Sequence, residues 1–229
     1  MRLFVLISIV LMLPTYLEAQ EAKQQIVISF SAEFGDHEIQ LGEPYDWENE
    51  TVSITALKYY ISNLKLKYQG QVVYLDNAQA QLIDYSIPES KQIRLEIPEY
   101  AKFDEVSCNL GIDSAMNVSG ALDGDLDPTK GMYWTWQSGY VNFKVEGFSS
   151  AIASKDGKFM FHLGGYLSPN LAVQSLNFSV DSMSEINFLL DLDQLLRTID
   201  LNENSSVMSP SLKAVELSES VAQSIRIHE

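Results

Sequence analysis

The strongest pattern along the chain is the alternation of apolar and polar residues in short runs. In residues 25–31, Ile26, Ile28 and Phe30 occupy every second position, as in a strand with one buried face. Similar runs recur roughly every ten residues, and Gly- or Pro-containing turns separate them. We predict further strands at 51–57, 60–68, 71–75, 80–85, 91–97, 105–112, 139–147, 158–164, 172–180 and 184–191.

Two segments near the C-terminus have helical rather than alternating spacing. Residues 191–197 predict one or two helical turns directly after a strand, with Asp193 near their start. From Ser211 to Ile227, apolar residues recur at near-helical intervals after a Ser-Pro entry signal. Many short strands without βα alternation indicate a mainly β fold. We therefore predict a single antiparallel β-sandwich-like domain with a C-terminal helix.

The first nineteen residues differ in composition from the rest. Arg2 precedes an apolar run from Leu3 to Leu13, and the small residue Ala19 follows, which is the layout of a secretory signal peptide. The run is shorter than the roughly 20 residues that span a bilayer. The sequence therefore predicts a signal peptide at 1–19, a domain at 20–229, no transmembrane segment, and a periplasmic or secreted location.

Charge and cysteine content exclude several classes of protein. A formal net charge of -16 repels phosphate backbones, so we expect no nucleic-acid partner. Cys108 is the single cysteine, which excludes an intramolecular disulfide and multi-thiolate metal sites, and its apolar surroundings predict a small buried side chain. The chain has neither a Gly-x-Ser-x-Gly elbow nor a His-Glu-x-x-His motif, and we expect a protein that is not an enzyme.

The most distinctive residues lie between Gly111 and Gly165. The chain contains, in order, Tyr59-Tyr-Ile-Ser-Asn63-Leu, Gly111-Ile-Asp113-Ser, Leu126-Asp-Pro128, Gly131-Met-Tyr-Trp134-Thr-Trp136-Gln-Ser-Gly-Tyr140, Phe161-His162-Leu-Gly and Met208-Ser-Pro210. With these motifs the chain resembles the MbnP-like family of exported bacterial copper-binding proteins. The likeness extends over essentially the whole predicted domain.

The resemblance implies a β-rich exported domain that binds one copper ion. Its implied ligands are two histidine imidazoles and a tryptophan oxidised to kynurenine, and a MauG-like diheme enzyme is the implied oxidant and partner. The chemistry is reasonable, because an indole offers a metal only an N–H group. Ring opening supplies an aromatic amine and a carbonyl, while imidazole suits copper.

Carried onto this chain, the resemblance makes His162 the candidate copper ligand. Trp134 is the better candidate for oxidation, and Trp136 is the other. On strands, the two tryptophans would share one face, and His162 would share a face with Met160, opposite Phe161. Oxidation by a separate enzyme would require one tryptophan ring near the protein surface.

The supply of histidines departs from the family pattern. The predicted domain has His37, His162 and His228, and none lies within the Trp motif, where a second imidazole is expected. His37 is the candidate second ligand if the fold brings it to His162. The alternative is a member that has lost copper and acts as an extracellular ligand- or protein-interaction module, either metal-free or stabilised by calcium. The sequence leaves the oligomeric state open.

A calcium site is the second chemical candidate. Asp123, Asp125 and Asp127 occupy alternate positions in a Gly-containing loop, and carboxylates at such density suit calcium. The loop lacks the downstream bidentate Glu of an EF-hand. The other interpretation is an acidic turn in which Asp127 caps the chain before Gly131.

Overall fold

The fold is mainly β, as predicted. The computed structural model describes residues 22–228 except 77–79, 138, 155, 182 and 183, so the predicted signal peptide lies outside the described residues. The strands are β1 (Lys23–Phe34), β2 (His37–Glu38), β3 (Pro44–Trp47), β4 (Glu50–Tyr68), β5 (Gln71–Leu75), β6 (Gln81–Asp84), β7 (Gln92–Pro98), β8 (Glu105–Leu110), β9 (Tyr133–Trp134), β10 (Gly139–Ser149), β11 (Lys158–Gly164), β12 (Gln174–Ser179), β13 (Glu185–Asp191), β14 (Ser206–Val207) and β15 (Ile225–His228).

Helices occupy a small part of the chain. The α-helices are α1 (Ser114–Val118), α2 (Leu192–Arg197) and α3 (Leu212–Gln223), and short 3-10 turns lie at Pro88–Lys91, Gly124–Leu126 and Pro128–Lys130. Asp191 and Ser211 cap α2 and α3, since their side chains accept hydrogen bonds from the amides of Gln194 and Ala214. None of these described helices has the length and apolarity that crossing a membrane requires.

The strands form two sheets that enclose the main core. The smaller sheet has the order β15-β13-β1-β2, with β7 also on β1, and the larger has the order β12-β8-β4-β10-β11-β14. Strands β3, β5 and β6 also pair with β4, and β9 pairs with β10. Phe30 of the smaller sheet meets Tyr59 of the larger one edge to face, with ring centroids 6.3 Å apart. Cys108 is buried in this core, as predicted.

Both sheets are mixed, whereas the sequence predicted antiparallel pairing. β1 and β13 run parallel, and so do β11 and β14. Alternation of apolar residues sets which face of a strand is buried, but it is the same for either strand direction. Direction therefore depends on the connections between distant strands, which the alternation does not report.

Two predicted boundaries are wrong. The predicted strands 51–57 and 60–68 are one continuous strand, β4. The terminal helix was predicted to reach Ile227, but it ends at Gln223 and the chain continues as β15. There Ile225 is buried, and β15 pairs with the edge of β13 from residue 187 to 190, which gives the backbone groups of that edge partners.

The burial pattern of β11 leads to a stability prediction. Phe161 is 1% exposed in the main core, so we expect Phe161→Ala to lower the free energy of unfolding by about 3–5 kcal/mol. Phe148→Ala is the matched control, because this ring on the neighbouring strand is 43% exposed, and we expect a loss below about 1 kcal/mol. Urea denaturation measures both. Equal losses would contradict the assignment of the two faces.

Candidate functional site

His162 lies on the outer face of the larger sheet. On β11, Phe159, Phe161 and Leu163 point into the main core, so His162 points the other way, as predicted. The residue is only 9% exposed. Its Nε2 is 2.7 Å from Oε1 of Glu146, a residue of the neighbouring strand β10. The histidine is therefore held by a hydrogen bond to a carboxylate.

Charged side chains surround this pair. Lys144 lies directly opposite His162 across the strands, and its Nζ is 3.5 Å from Oε1 of Glu146. Lys158 Nζ is 3.8 Å from the other carboxylate oxygen. Burial lowers the pKa of His162, and although Glu146 opposes this effect, the net pKa stays below the ordinary value. The imidazole is therefore neutral at physiological pH.

The negative charge on Glu146 determines which nitrogen of the His162 ring carries the proton. Burial would raise the pKa of Glu146, but the hydrogen bond from His162 and the nearby lysines outweigh it, so the pKa is lowered. An ionised carboxylate only accepts, so Nε2 of His162 carries the proton and donates. The lone pair of the neutral ring is then on Nδ1, which has no hydrogen-bond partner among the described residues.

Trp134 packs on the same face of β11, on a glycine two positions from His162. A Cβ built on Gly164 would be 2.8 Å from Cζ3 of Trp134 and 2.5 Å from the carbonyl oxygen of Tyr140, so the indole packs directly on the Gly164 backbone. Residues 162 and 164 share one face of β11 and are roughly 7 Å apart along the strand. Trp134, only 8% exposed, therefore packs two positions along β11 from the histidine.

Trp136 contacts Trp134 from a turn that follows β9, and not from the same strand. Strand β9 ends at Trp134, and the chain then turns, with the amide of Gln137 bonding to the Trp134 carbonyl at 3.3 Å. Trp134 and Trp136 therefore do not lie on one strand, which was the condition for the expected shared face. Their ring centroids are nonetheless 5.9 Å apart at an interplanar angle of 48°, and Trp136 is 65% exposed. A buried indole lies against an exposed one.

Polar motif residues hold the Trp segment in place. Asp113 caps α1 by accepting from the Met116 amide, and it also accepts from the side chain of Asn63 at 3.1 Å. Asn117, buried in α1, donates to the Ile112 carbonyl and accepts from the Tyr140 amide at 2.9 Å. These contacts fix the loop before β9 relative to the sheet.

A second hydrophobic cluster lies beneath the same loop. Its buried members are Tyr60, Ala80, Leu82, Ile112, Leu126, Met132, Trp134, Tyr140 and Val141. The rings of Tyr60 and Tyr140 meet edge to face, with centroids 5.8 Å apart. The Tyr140 hydroxyl accepts from the Leu122 amide and donates to the Leu126 carbonyl at 3.1 Å. The motif tyrosines thus support Trp134 from below.

Two of the three aspartates of the acidic loop, Asp125 and Asp127, stabilise its conformation. Asp125 bonds to Nζ of Lys130 at 2.5 Å and to the Leu82 amide at 3.0 Å. Asp127 accepts from the Thr129 amide at 2.8 Å, a bond that lowers its pKa, while Asp123 is exposed. This geometry is the capped acidic turn that the sequence offered as the other interpretation. The described residues contain no group of three or more His, Cys, Asp or Glu arranged to hold a metal ion.

The fold does not bring His37 to His162. His37 lies on β2 opposite Phe34, at the edge of the smaller sheet, where it is exposed. His228, on β15, also belongs to the smaller sheet. Neither histidine is on the face that carries His162, so the described residues give His162 no imidazole neighbour.

Nothing in the sequence alone distinguishes Glu146 from the other acidic residues. It follows Lys144 by two residues, so the alternation places both side chains on the outer face of β10. What the alternation lacks is the register between β10 and β11, which includes a shift between Val141 and Phe143. Without that register, Glu146 is one acidic residue among many.

The comparisons with known proteins agree with this fold. In a scan against protein-family models, the model described as MbnP matches residues 23–209. A match over most of the chain identifies the class, and the protein belongs to the MbnP family. MbnP from Methylosinus trichosporium, a solved structure, has a TM-score of 0.56 to this chain at 16% identity, over 85% of this chain and 87% of that one. At that identity it shows a shared fold. No curated protein matches.

The low pKa of His162 makes stability depend on pH. Between about pH 6.5 and the lowered pKa of the folded state, only the unfolded chain binds a proton at His162. The free energy of unfolding should therefore fall as the pH falls through this window. We expect His162→Gln to flatten the dependence measured by urea denaturation between about pH 7.5 and 5.5. His37→Gln, at an exposed position on the other sheet, is the control, and an equal effect of both variants would contradict the assignment.

The contact between Gly164 and Trp134 gives a second prediction. Gly164→Ala should displace the indole, lower the free energy of unfolding by roughly 1–3 kcal/mol and increase acrylamide quenching of tryptophan fluorescence. Gly35→Ala is the control, because a Cβ there meets nothing within 4 Å although φ is +59°. It should cost about 1 kcal/mol without changing the quenching. Unchanged quenching in Gly164→Ala would show that the ring does not depend on this glycine.

Proposed function

We propose that this protein is an exported copper-binding protein acting in metal handling, with His162 and an oxidised Trp134 as copper ligands. Family membership supports copper as the metal. The observation that carries the proposal is the juxtaposition on one sheet face of a neutral, carboxylate-bound imidazole and a packed indole. The proposal places the protein in the periplasm or outside the cell.

The imidazole of His162 fits a metal ligand in two respects. Metals bind the neutral ring, and burial keeps this ring neutral. Ligating histidines commonly donate their other N–H to a carboxylate, which fixes the tautomer and the ring orientation. Glu146 is in that position, and Nδ1 of His162 would be the ligand atom. Glu146 would orient the ring of His162, and His162 would bind the copper, which supplies the metal chemistry.

Trp134 becomes a ligand only after oxidation. In the overall balance the indole ring opens with the uptake of three water molecules, one oxygen stays on the product, and one carbon leaves as formic acid. Four protons and four electrons are removed, and the electrons pass to a MauG-like diheme enzyme, the proposed partner and oxidant. The resulting amine and carbonyl can approach copper, whereas the indole N–H cannot. The exposed ring of Trp136, 5.9 Å from that of Trp134, offers a path for the electrons to the surface. The oxidant then needs no direct contact with the buried ring.

Mass spectrometry and metal analysis of protein from its native exporting host test the proposal. We expect a gain of about 4 Da on the peptide that carries Trp134, together with bound copper. His162→Ala should lose the copper, because the imidazole is removed, while His37→Ala should retain it. Unmodified tryptophans and no copper in the wild-type protein would contradict the proposal.

A second candidate function rests on Trp136. This ring is 65% exposed and lies against Trp134, and aromatic side chains of this kind are enriched at binding surfaces. A protein without copper and with both tryptophans unmodified would act as a ligand- or protein-interaction module through this surface. The same mass spectra and metal analysis distinguish the two functions.

A further inference from the structure

Four segments meet at the end of the larger sheet where β11 finishes. They are residues 114–122 with α1, 131–137 with β9, 163–173 at the end of β11, and 208–212 before α3. The Ser114 hydroxyl donates to the Tyr166 carbonyl at 2.7 Å, which joins the first segment to the third. A Cβ built on Gly165 would lie 3.2 Å from Cβ of Pro210, which joins the third segment to the fourth. The ring of Trp134, in the second segment, also packs on the third.

These four segments carry no charged side chain. None of their residues is Asp, Glu, Lys, Arg or His, although charged residues make up 20% of the whole chain and its net charge is -16. Charged residues are likewise depleted in the cores of protein–protein interfaces, because a charge that is buried there loses its water. The surface that residues 114–122, 131–137, 163–173 and 208–212 form is named the uncharged end.

Large apolar side chains of the uncharged end are exposed to solvent. Four of them, one from each segment, are between 62% and 68% exposed, and they are Val118, Trp136, Leu167 and Leu212. Leu171 and Met208 are exposed as well. Exposed apolar side chains grouped on a surface are typical of a protein interaction site, and aromatic residues and Met are enriched at such sites. The uncharged end therefore has the composition of a docking surface.

The tryptophans of this surface indicate which partner it fits. Of the three tryptophans in the chain, Trp136 is the exposed one, and its ring centroid is 5.9 Å from that of the buried Trp134. A protein that covers the uncharged end therefore contacts a ring that leads directly to Trp134. A second copy of the chain fits less well, because two molecules that each carry a charge of -16 repel one another. A different protein of neutral or positive net charge is not repelled.

We propose that the uncharged end is the docking surface for the diheme enzyme that oxidises Trp134, and that the enzyme binds it through an apolar face rather than through ion pairs. The inference rests on the proposed function and adds to it the place and the mode of docking. The four electrons of the oxidation leave Trp134 in successive steps by way of Trp136 and enter the hemes of the docked enzyme. The four protons pass to water. Trp136 is then both an interface residue and the relay for the electrons.

Added charges test this assignment in the native exporting host. Leu167→Glu combined with Leu212→Glu would place carboxylates in an apolar contact, where they lose water and gain no partner. We expect the fraction of Trp134 peptide that shows the gain of about 4 Da to fall by about tenfold or more. The double variant with Met at both positions keeps the surface apolar and should leave the fraction unchanged. Ile87→Glu with Tyr100→Glu is the matched control, because it adds the same charge at exposed apolar residues on either side of β7, in the smaller sheet, and should also leave it unchanged.

The outcomes separate this inference from the function on which it rests. Wild-type protein without the mass gain would overturn the proposed function, and the docking surface with it. A wild-type mass gain that persists in Leu167→Glu with Leu212→Glu, or that the control variant loses equally, would overturn the docking surface alone.

Sedimentation equilibrium and circular dichroism complete the test. We expect the wild-type protein to sediment as a monomer, and a dimer that Leu167→Glu with Leu212→Glu dissociates would assign the surface to a second copy instead. Circular dichroism confirms that each variant is folded, which we expect because the substituted side chains are exposed.

Discussion

The larger sheet depends on β4, because five other strands hydrogen-bond to its 19 residues. β10 takes its register from β4, and β11 takes its register from β10, which aligns Lys58, Lys144 and His162 in one row across the outer face. A slip of β11 by one residue would bury His162 in the core and expose Phe161. The core therefore fixes the position of the candidate ligand, although the ligand itself faces away from the core.

Residues of the MbnP motifs pack into both hydrophobic clusters. Adjacent tyrosines of β4 point to opposite faces: Tyr59 packs with Phe143 in the main core, and Tyr60 packs with Tyr140 in the second cluster. The second cluster holds the loop that ends in Trp134 against the sheet. Most motif residues thus act as supports, and few of them offer a group to a metal. This explains why the family can be identified from sequence while the ligand set is harder to assign.

Features that depend on neighbouring residues within one strand could be predicted from sequence, and features that depend on contacts between distant segments could not. The longer strands and the outward direction of His162 depend on alternation within one strand, and they were predicted correctly apart from the break placed inside β4. The short strands β2, β3, β9 and β14 and the terminal β15 were not predicted. The parallel pairing of β11 with β14, the end of α3 and the partnership with Glu146 depend on register between separate segments. The alternation of apolar and polar residues contains no information about register or strand direction. Glu146, 16 positions from His162 in sequence, becomes its partner only through the fold.

Burial and access make opposite demands on this site. A ligand imidazole gains from burial, because desolvation keeps His162 neutral and Glu146 can hold its orientation. An oxidant or a metal donor needs access, which a ring only 8% exposed does not offer. Two tryptophans in contact meet these two requirements. Trp134 is buried on Gly164, and Trp136 lies against it and is exposed to solvent. The sheet can then hold the buried ring in place while its exposed neighbour stays accessible from solvent.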